Sequence, residues 1–414
     1  MRHFLGRDTR RLVAGQAIRG FGYGYTAIVL GDQLAARGLR PVLAGLLLAA
    51  VIAGSALTSL AVGVFSDRLG RRRSYGAFFL ALSVAGFVVA LNPPLWILFV
   101  VALTGTLSTD VVDNGAATTL EQVMLAEEDA GTGRVYGWYN AAGATFGALG
   151  ALGAALTGVT SATTVHSWYF AVLVPVGLAG ALVAKGLSPA VEAPAPSISR
   201  EPRRRRPPGP SQPVIRRMSA LFAVDAAGGG LVTTGFLSYY FVTRYGVSLS
   251  SLGWLFFVTS ATHAASVLVA PRLARRFGLL QTMVGTHLPS NVLLALVAVA
   301  PSFRVAAILL LARTTVSQMD VPTRQALVMT LTTPAERTSA AAATNAARYS
   351  VRPLAPLVGG ALQSISPGVP LVVAGIVKCG YDLALWRWAR GLANLRDRAS
   401  SKTDAPTSRT EEAS

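Results

Sequence analysis

Twelve long apolar segments constrain the fold of this chain more than any other feature of its sequence. Each has about 20 residues or more, the length that an α-helix needs to cross the hydrocarbon core of a bilayer. A segment inside a bilayer must satisfy its backbone hydrogen bonds internally, so these runs predict helices. The predicted spans are, to within a few residues, 12–36, 41–66, 74–92, 95–123, 134–158, 166–186, 216–243, 249–271, 279–300, 303–331, 338–363 and 369–391.

The composition agrees with a membrane protein and excludes other classes. Of 414 residues, 52% are hydrophobic and only 14% are charged, whereas a soluble domain carries roughly 25% charged residues. A net charge of +18 can indicate nucleic acid, but here the arginines lie in alternate connections, so we expect no nucleic-acid partner. One cysteine, Cys379, allows no intramolecular disulfide bond. The first apolar run contains Arg19 and is too long for a cleaved signal peptide, so we interpret it as a membrane helix.

The distribution of arginine predicts the orientation of the chain in the membrane. With both termini on the cytoplasmic side, the inner connections hold nearly all the basic residues. The outer connections hold only Arg37, Arg40, Arg244 and Arg304. Arginine is used far more often than lysine, which is typical of a GC-rich bacterium, so we expect a multi-pass protein of the bacterial inner membrane with cytoplasmic termini.

A motif between the second and third spans narrows the class. Residues 63–73 read Gly-Val-Phe-Ser-Asp-Arg-Leu-Gly-Arg-Arg-Arg. This stretch resembles the signature loop of the major facilitator superfamily, G-x-L-x-D-R-x-G-R-[RK]-[RK], with Phe65 in place of the usual leucine. The resemblance implies a transporter whose inner closure is controlled by this motif. Its conformational residues are Gly63, Asp67, Arg68, Gly70 and Arg71.

The two halves of the chain also repeat each other. A shift of 208 residues aligns three glycines of the first half with three of the second: Gly38 with Gly246, Gly45 with Gly253 and Gly70 with Gly278. The predicted fold is an all-α membrane protein with 12 transmembrane helices in two pseudo-symmetric six-helix bundles. The predicted domains are residues 1–186, a cytoplasmic linker rich in proline and arginine at 187–215, the second bundle at 216–396, and a disordered cytoplasmic tail at 397–414.

Charged residues inside the spans are costly in a bilayer and therefore mark candidate sites. They concentrate in helices 1, 4, 7, 10 and 11, which line the central cavity in the superfamily. Two carboxylates on one helix face repel each other, so one of them can hold a proton near neutral pH. The proton-coupling candidates are Asp110, Asp113 and Asp225. The cavity candidates are Arg19, Asp320, Arg324, Arg348 and Arg352, and a contact between Glu121 and Arg324 is the candidate inner gate.

Several of these residues have simpler interpretations. Asp110 and Asp113 could cap a helix or pair with Arg19, and Asp320 and Arg324, four residues apart, could pair with each other. Elsewhere in the spans, Lys378 and Asp382 are expected to form a structural pair, and His263 and His287 to be packing residues. Helix 5 resembles the glycine-rich helix of drug–proton antiporters, but it lacks their Gly-Pro dipeptide. Its closely spaced glycines are Gly143, Gly147, Gly150 and Gly153.

The sequence favours a proton-coupled exporter of a small organic molecule that works by alternating access. An organic-anion carrier or exchanger built on Arg19, Arg348 and Arg352 is the first alternative, and a non-transporting receptor or scaffold is the second. The chain contains none of the nucleotide-binding, zinc-hydrolase or serine-hydrolase motifs, so we expect neither an enzyme nor a cofactor or metal. The expected partners are the solute, protons and the lipid bilayer, and the expected state is a monomer.

Overall fold

The structure, a computed structural model, describes residues 6–110, 116–126, 134–159, 167–192, 209–317, 319–333 and 336–403. Within those ranges all regular structure is helical. The α-helices are α1 Arg7–Ala36, α2 Pro41–Leu69, α3 Arg71–Ala90, α4 Leu95–Leu103, α5 Ala116–Ala126, α6 Arg134–Val159, α7 Leu173–Gly186, α8 Gln212–Gly230, α9 Thr234–Tyr245, α10 Leu249–Phe277, α11 Leu279–Val297, α12 Phe303–Ser317, α13 Asp320–Leu331, α14 Arg337–Val351, α15 Ala355–Ile365 and α16 Val369–Thr403. Short 3₁₀ helices occupy Ser167–Val172, Pro189–Glu192 and Arg352–Leu354.

Each predicted span contains helix, but four of the twelve are interrupted. The fourth span is split into α4 and α5, the seventh into α8 and α9, the tenth into α12 and α13, and the eleventh into α14 and α15. At these four places two shorter helices occupy one predicted span. Local chemistry explains three of the breaks. After α4, Gly105 adopts φ +70°. Before α9, the hydroxyl of Thr233 accepts a hydrogen bond from Phe236 N (3.3 Å) and caps the helix. Before α15, Pro353 lies in the 3₁₀ turn.

The remaining long helices carry the strongest membrane signal. Six segments of the described chain are long and apolar enough to cross a bilayer, among them Pro41–Val62, Arg71–Ala90 and Trp138–Gly158. Large apolar side chains on the outside, such as Trp96 and Leu182, suit a lipid-facing surface. The last helix, α16, continues to Thr403, seven residues beyond the boundary predicted for the second bundle.

The backbone repeats itself in the two halves as the glycine alignment predicts. Gly38 follows α1 and Gly246 follows α9, at the end of the first span of each half, with φ of +63° and +62°. Gly70 and Gly278 end α2 and α10 with φ of +88° and +87°. A side chain with a Cβ rarely adopts these angles, so glycine fixes the same tight turn at both places.

Contacts between the halves follow the same symmetry. We call the end with the arginine-rich connections the inner end, and the opposite end the outer end. Near the outer end α2 packs against α15, and α10 packs against α6. A Cβ added to Gly45 would lie 2.9 Å from Gly360 Cα, and one added to Gly253 would lie 2.6 Å from Ala155 Cβ. The two aligned glycines therefore allow equivalent close approaches between the bundles.

The halves are joined at their outer ends in this conformation. The Tyr239 hydroxyl donates to Leu39 O (2.7 Å), and α1 packs against α9. Hydrogen bonds that anchor the inner helix ends instead stay within one half: Ser188 N donates to Asp8 (3.1 Å), and Ser211 N donates to Glu336 (3.1 Å). The pathway between the bundles is therefore closed on the outer side.

Candidate functional site

The first of three ion networks is buried within the N-terminal half. Arg19 of α1 pairs with Glu121 of α5, with 2.7 Å between Nη2 and Oε2. The hydroxyls of Tyr75 and Tyr139 each donate to Glu121 at 2.5 Å, and Arg19 also donates to Gln16. The sequence analysis missed both tyrosines. Their one distinguishing feature in the sequence is a polar hydroxyl inside a predicted membrane span. Four helices thus converge on one buried carboxylate.

This network changes the interpretation of Glu121. The predicted inner gate paired Glu121 with Arg324. Among the described residues, Glu121 instead pairs with Arg19, and Arg324 pairs with acids of its own half. The predicted contact is therefore not formed in this conformation.

The second network is centred on Asp225 in the C-terminal half. Lys378 of α16 pairs with one of its carboxylate oxygens. Arg324 of α13 lies 3.3 Å from the other oxygen. His287 Nε2 of α11 lies 3.8 Å away. All four side chains are almost fully buried. A carboxylate that joins four helices at this depth is a strong candidate for a functional group.

The partners of Asp225 have further partners of their own. Arg324 also pairs with Asp320 at 2.8 Å, which is the predicted pair four residues apart. Asp382 accepts from Asn291 Nδ2 (2.9 Å) and lies 2.7 Å from His287 Nδ1. The predicted Lys378–Asp382 pair was wrong, because Lys378 pairs with Asp225 across the bundle. His287 is a packing residue and also a member of the ion network. The sequence analysis missed its role in the network because its partners come from distant spans.

The third network joins the two halves. Arg352, in the 3₁₀ turn between α14 and α15, pairs with Asp110, in the break between α4 and α5. Thr234 N donates to the same carboxylate at 3.1 Å, and Gly235 N donates to Thr109 O at 2.8 Å. Three of the helix breaks thus meet at one point. Asp110 was predicted on a helix face and instead lies outside a helix. Its predicted neighbour Asp113 lies outside the described residues.

Two further arginines border the second network. Arg313 of α12 and Arg348 of α14 both interact electrostatically with Asp225 and Asp320. Within the described chain, neither Nε atom has a hydrogen-bond partner, although both atoms are buried. Arg348 was a predicted cavity residue. Arg313 was missed, and its charge inside the tenth span was the available signal.

Asp32 is a buried acid that the sequence analysis also missed. It lies on α1 with 2% of its surface exposed. No ion pair of Asp32 is found among the described residues, and its Oδ2 atom has no hydrogen-bond partner there. Its place inside the first predicted span was a signal of the same kind as that of Asp110.

The loop predicted between the second and third spans is shorter in the structure, where most of the signature motif belongs to the two helices. The last turns of α2 are formed by residues 63–69, which include Gly63, Asp67 and Arg68. The side chains of Asp67 and Arg68 are not among the described parts of the structure. Gly70 alone connects α2 to α3, and Arg71 is the buried first residue of α3. A Cβ on Gly70 would lie 3.0 Å from the Glu192 carboxylate, so the start of the linker packs against the motif.

Comparison with known proteins identifies the family. Residues 12–356 match the family described as Major Facilitator Superfamily. The chain belongs to this superfamily. It is therefore a multi-pass membrane protein of a transporter family, and the predicted fold and the expectation of a non-enzyme are confirmed. Within the described residues, no group of three or more His, Cys, Asp and Glu side chains has the geometry to hold a metal ion.

Several individual proteins resemble most of the chain. An uncharacterized membrane protein of Saccharomyces cerevisiae, YJR124C, is 26% identical over 398 residues, which are 86% of this chain and 88% of the yeast protein. The nucleoside transporter NupG superposes with a TM-score of 0.70 at 12% identity, covering 92% of this chain and 98% of NupG. The inward-open xylose transporter XylE from E. coli gives 0.66 at 15% identity, with coverage of 91% and 96%. These structures share the fold.

Proposed function

We propose that this superfamily member is a proton-coupled secondary transporter that exports a small organic molecule by alternating access. The observation that carries the proposal is the ion pair between Asp110 and Arg352. It joins the two bundles where the outer pathway is closed. The bundles must separate at this point before the outer side can open, so the pair acts as the outer gate.

Protonation gives this gate a route to open. The side chains of Asp110 and Arg352 are 21% and 29% exposed, so water and protons reach them. A proton on Asp110 removes the attraction to Arg352 and weakens the hydrogen bond from Thr234 N. A partly exposed pair of this kind contributes about 1 kcal/mol or less, a small energy that suits a contact made and broken in every cycle. Asp225 is the second coupling candidate, because it is buried between the cations Lys378 and Arg324 and lies 3.8 Å from His287.

The signature motif completes the cycle at the inner end. Asp67, with Arg68 and Arg71, would hold the bundles together when the inner side closes. Asp67→Asn should then slow transport without preventing membrane insertion. We also propose that the arginine-rich inner end faces the cytoplasm of a bacterium, so that the present conformation opens toward the cytoplasm.

The test begins with a solute. An efflux-deficient bacterium that expresses the chain is challenged with a panel of toxic compounds, and a protected compound is then followed in proteoliposomes under an imposed pH gradient. We expect wild-type export to follow the proton gradient. Asp110→Asn should lose that dependence, and the charge swap Asp110→Arg with Arg352→Asp should restore part of the flux. Arg244→Gln, on the exposed outer surface, is the control.

Three results would count against the proposal. Flux that ignores the pH gradient in the wild type would indicate an exchanger. Proton dependence that survives Asp110→Asn would remove the role of the gate. The absence of flux for every compound of the panel, in growth assays and in vesicles, would favour a receptor or scaffold.

A further inference from the structure

The C-terminal network contains more positive charge than its acids compensate. Each of its three described acids already has a partner. Asp225 pairs with Lys378 and Arg324, and Asp320 also pairs with Arg324. Asp382 contacts His287. Arg313 and Arg348 add two charges to this network. Neither forms a short ion pair with an acid among the described residues.

The surroundings of the two arginines make this excess costly. The Nε atoms of both are shielded from solvent and lack an acceptor in the described structure. Arg348 also lies within electrostatic reach of Arg324, a like charge. A buried donor without an acceptor costs about 1–3 kcal/mol, and more when it is charged. A protein that only needed stability would gain by replacing these side chains.

Both arginines lie beside breaks in the helices of the C-terminal half. Arg313 is near the end of α12, just before the break in the tenth span, and Arg348 is near the end of α14, just before the break in the eleventh. His263 of α10, hydrogen-bonded to Ser317 (3.1 Å), interacts electrostatically with Arg313. Tyr349 follows Arg348 and is 43% exposed, which offers an aromatic surface to an organic molecule.

We propose that Arg313 and Arg348 bind the anionic group of the transported solute, which is a small organic molecule carrying a carboxylate or a phosphate. A guanidinium group presents paired N–H donors that match the two oxygens of such a group. This inference rests on the proposed transport function and names its substrate class. It also revises the anion cluster expected from the sequence. Of the three predicted arginines only Arg348 belongs to it, since Arg19 pairs with Glu121 and Arg352 with Asp110.

The first experiment measures binding without transport. The purified full-length chain in lipid-free detergent is heated with benzoate, salicylate or phenyl phosphate, and in parallel with the neutral analogues benzamide and benzyl alcohol, at constant ionic strength. We expect at least one anion to raise the Tm of the wild type and its neutral analogue to leave it unchanged. Arg313→Gln and Arg348→Gln should abolish the shift, and Arg348→Lys should retain part of it. Arg244→Gln should behave as the wild type.

The second measurement needs no ligand. Removing the Arg348 charge, which has no short ion pair among the described residues, should raise the Tm of the ligand-free protein by roughly 2 °C in Arg348→Gln, whereas Arg324→Gln, which breaks described ion pairs, should lower it. A fall in Tm for Arg348→Gln would identify a structural arginine and overturn the proposal. Equal responses to anions and neutral analogues, or no response to any anion, would also overturn it.

Two further outcomes separate this proposal from neighbouring ones. Stabilisation by phosphatidylglycerol but by none of the soluble anions would assign the arginine pair to a lipid headgroup and refute a solute site. Anion binding that depends on Arg348, together with transport that ignores the pH gradient, would support the site and refute proton coupling. The failure of one proposal is thus distinguishable from the failure of the other.

Discussion

Single residues show that the buried charges of the two halves are compensated in different ways. The N-terminal half places one acid, Glu121, against one base, Arg19, and completes the carboxylate with two tyrosine hydroxyls. In the C-terminal half, Asp225 pairs with two cations, Arg324 and Lys378. Loss of the acid should therefore be most costly where it forms the single described ion pair of a buried base.

Glu121→Gln tests this expectation. The substitution leaves Arg19, which is 1% exposed, without its acidic partner. Breaking a buried pair from one side costs about 3–5 kcal/mol, so we expect a clear fall in the Tm measured by tryptophan fluorescence in detergent. Replacing both partners with methionine should restore much of the lost stability, because no charge then remains buried. A Tm of Glu121→Gln equal to that of the wild type would contradict the importance of the pair.

Asp32 and Asp225 should respond differently to the same substitution. Asp32 has no described ion pair, and an unpaired carboxylate in a buried site avoids a large desolvation cost only in its protonated form. Asp32→Asn keeps the shape of the side chain and removes no described ion pair, so the change in stability should stay within about 0.5 kcal/mol. Asp225→Asn leaves Lys378 and Arg324 facing each other, and it should destabilise the protein by about 3 kcal/mol or more. Thermal unfolding of the two variants side by side decides the matter, and a large loss in Asp32→Asn would show a hidden partner.

Whole elements show what the sequence could and could not predict. The twelve spans and the glycine alignment were predictable, because apolar length and a fixed glycine spacing are local properties of the chain. The breaks at residues 231–233 and 352–354 lie inside predicted spans, and the span boundaries do not mark them. The apolar pattern continues through them, and their stability depends on contacts such as Thr234 N with Asp110 that come from the other half. For the same reason the sequence indicated the ionisable residues but not the partner of Lys378.

The two equivalent helix junctions give a prediction at this scale. Gly70 and Gly278 have φ of +88° and +87° with ψ of 127° and 159°, a region in which a side chain with a Cβ is disfavoured by roughly 1–3 kcal/mol. Gly70→Ala and Gly278→Ala should therefore each destabilise the protein by about that amount, as a decrease in Tm. Gly380→Ala is the matched control, because a Cβ there meets no atom within 4 Å and the residue lies inside α16. An effect at Gly70 that matches the control would mean that the motif does not need its tight turn.

At the scale of the molecule, the two bundles meet at the outer end, and the proposed mechanism requires them to separate there. The aligned glycines on α2 and α10 allow this contact twice, through α15 and through α6. Small residues make a close but separable interface, which alternating access requires. Its reversibility can be removed by a covalent link.

An engineered disulfide across the outer end should stop transport. A Cβ on Gly158 of α6 would lie 3.0 Å from Leu249 Cβ and 2.5 Å from Ser250 N, so α6 and α10 must move slightly apart to reach the separation of bridged cysteines, about 3.5–4.5 Å between Cβ atoms. Introducing Gly158→Cys and Leu249→Cys into a Cys379→Ser background should give rapid cross-linking under mild oxidation. Transport of the solute found in the growth screen should then cease, and a reductant should restore it.

A link inside one bundle provides the control for that experiment. A Cβ on Gly76 of α3 would lie 3.7 Å from Ala184 Cβ of α7, both in the N-terminal half. Gly76→Cys with Ala184→Cys should cross-link as readily and leave transport intact, since rigid-body rocking does not separate α3 from α7. If the link across the halves formed and transport continued, the outer contact would not be a gate. If only the control pair cross-linked, the closed outer end would not be the resting conformation of the protein.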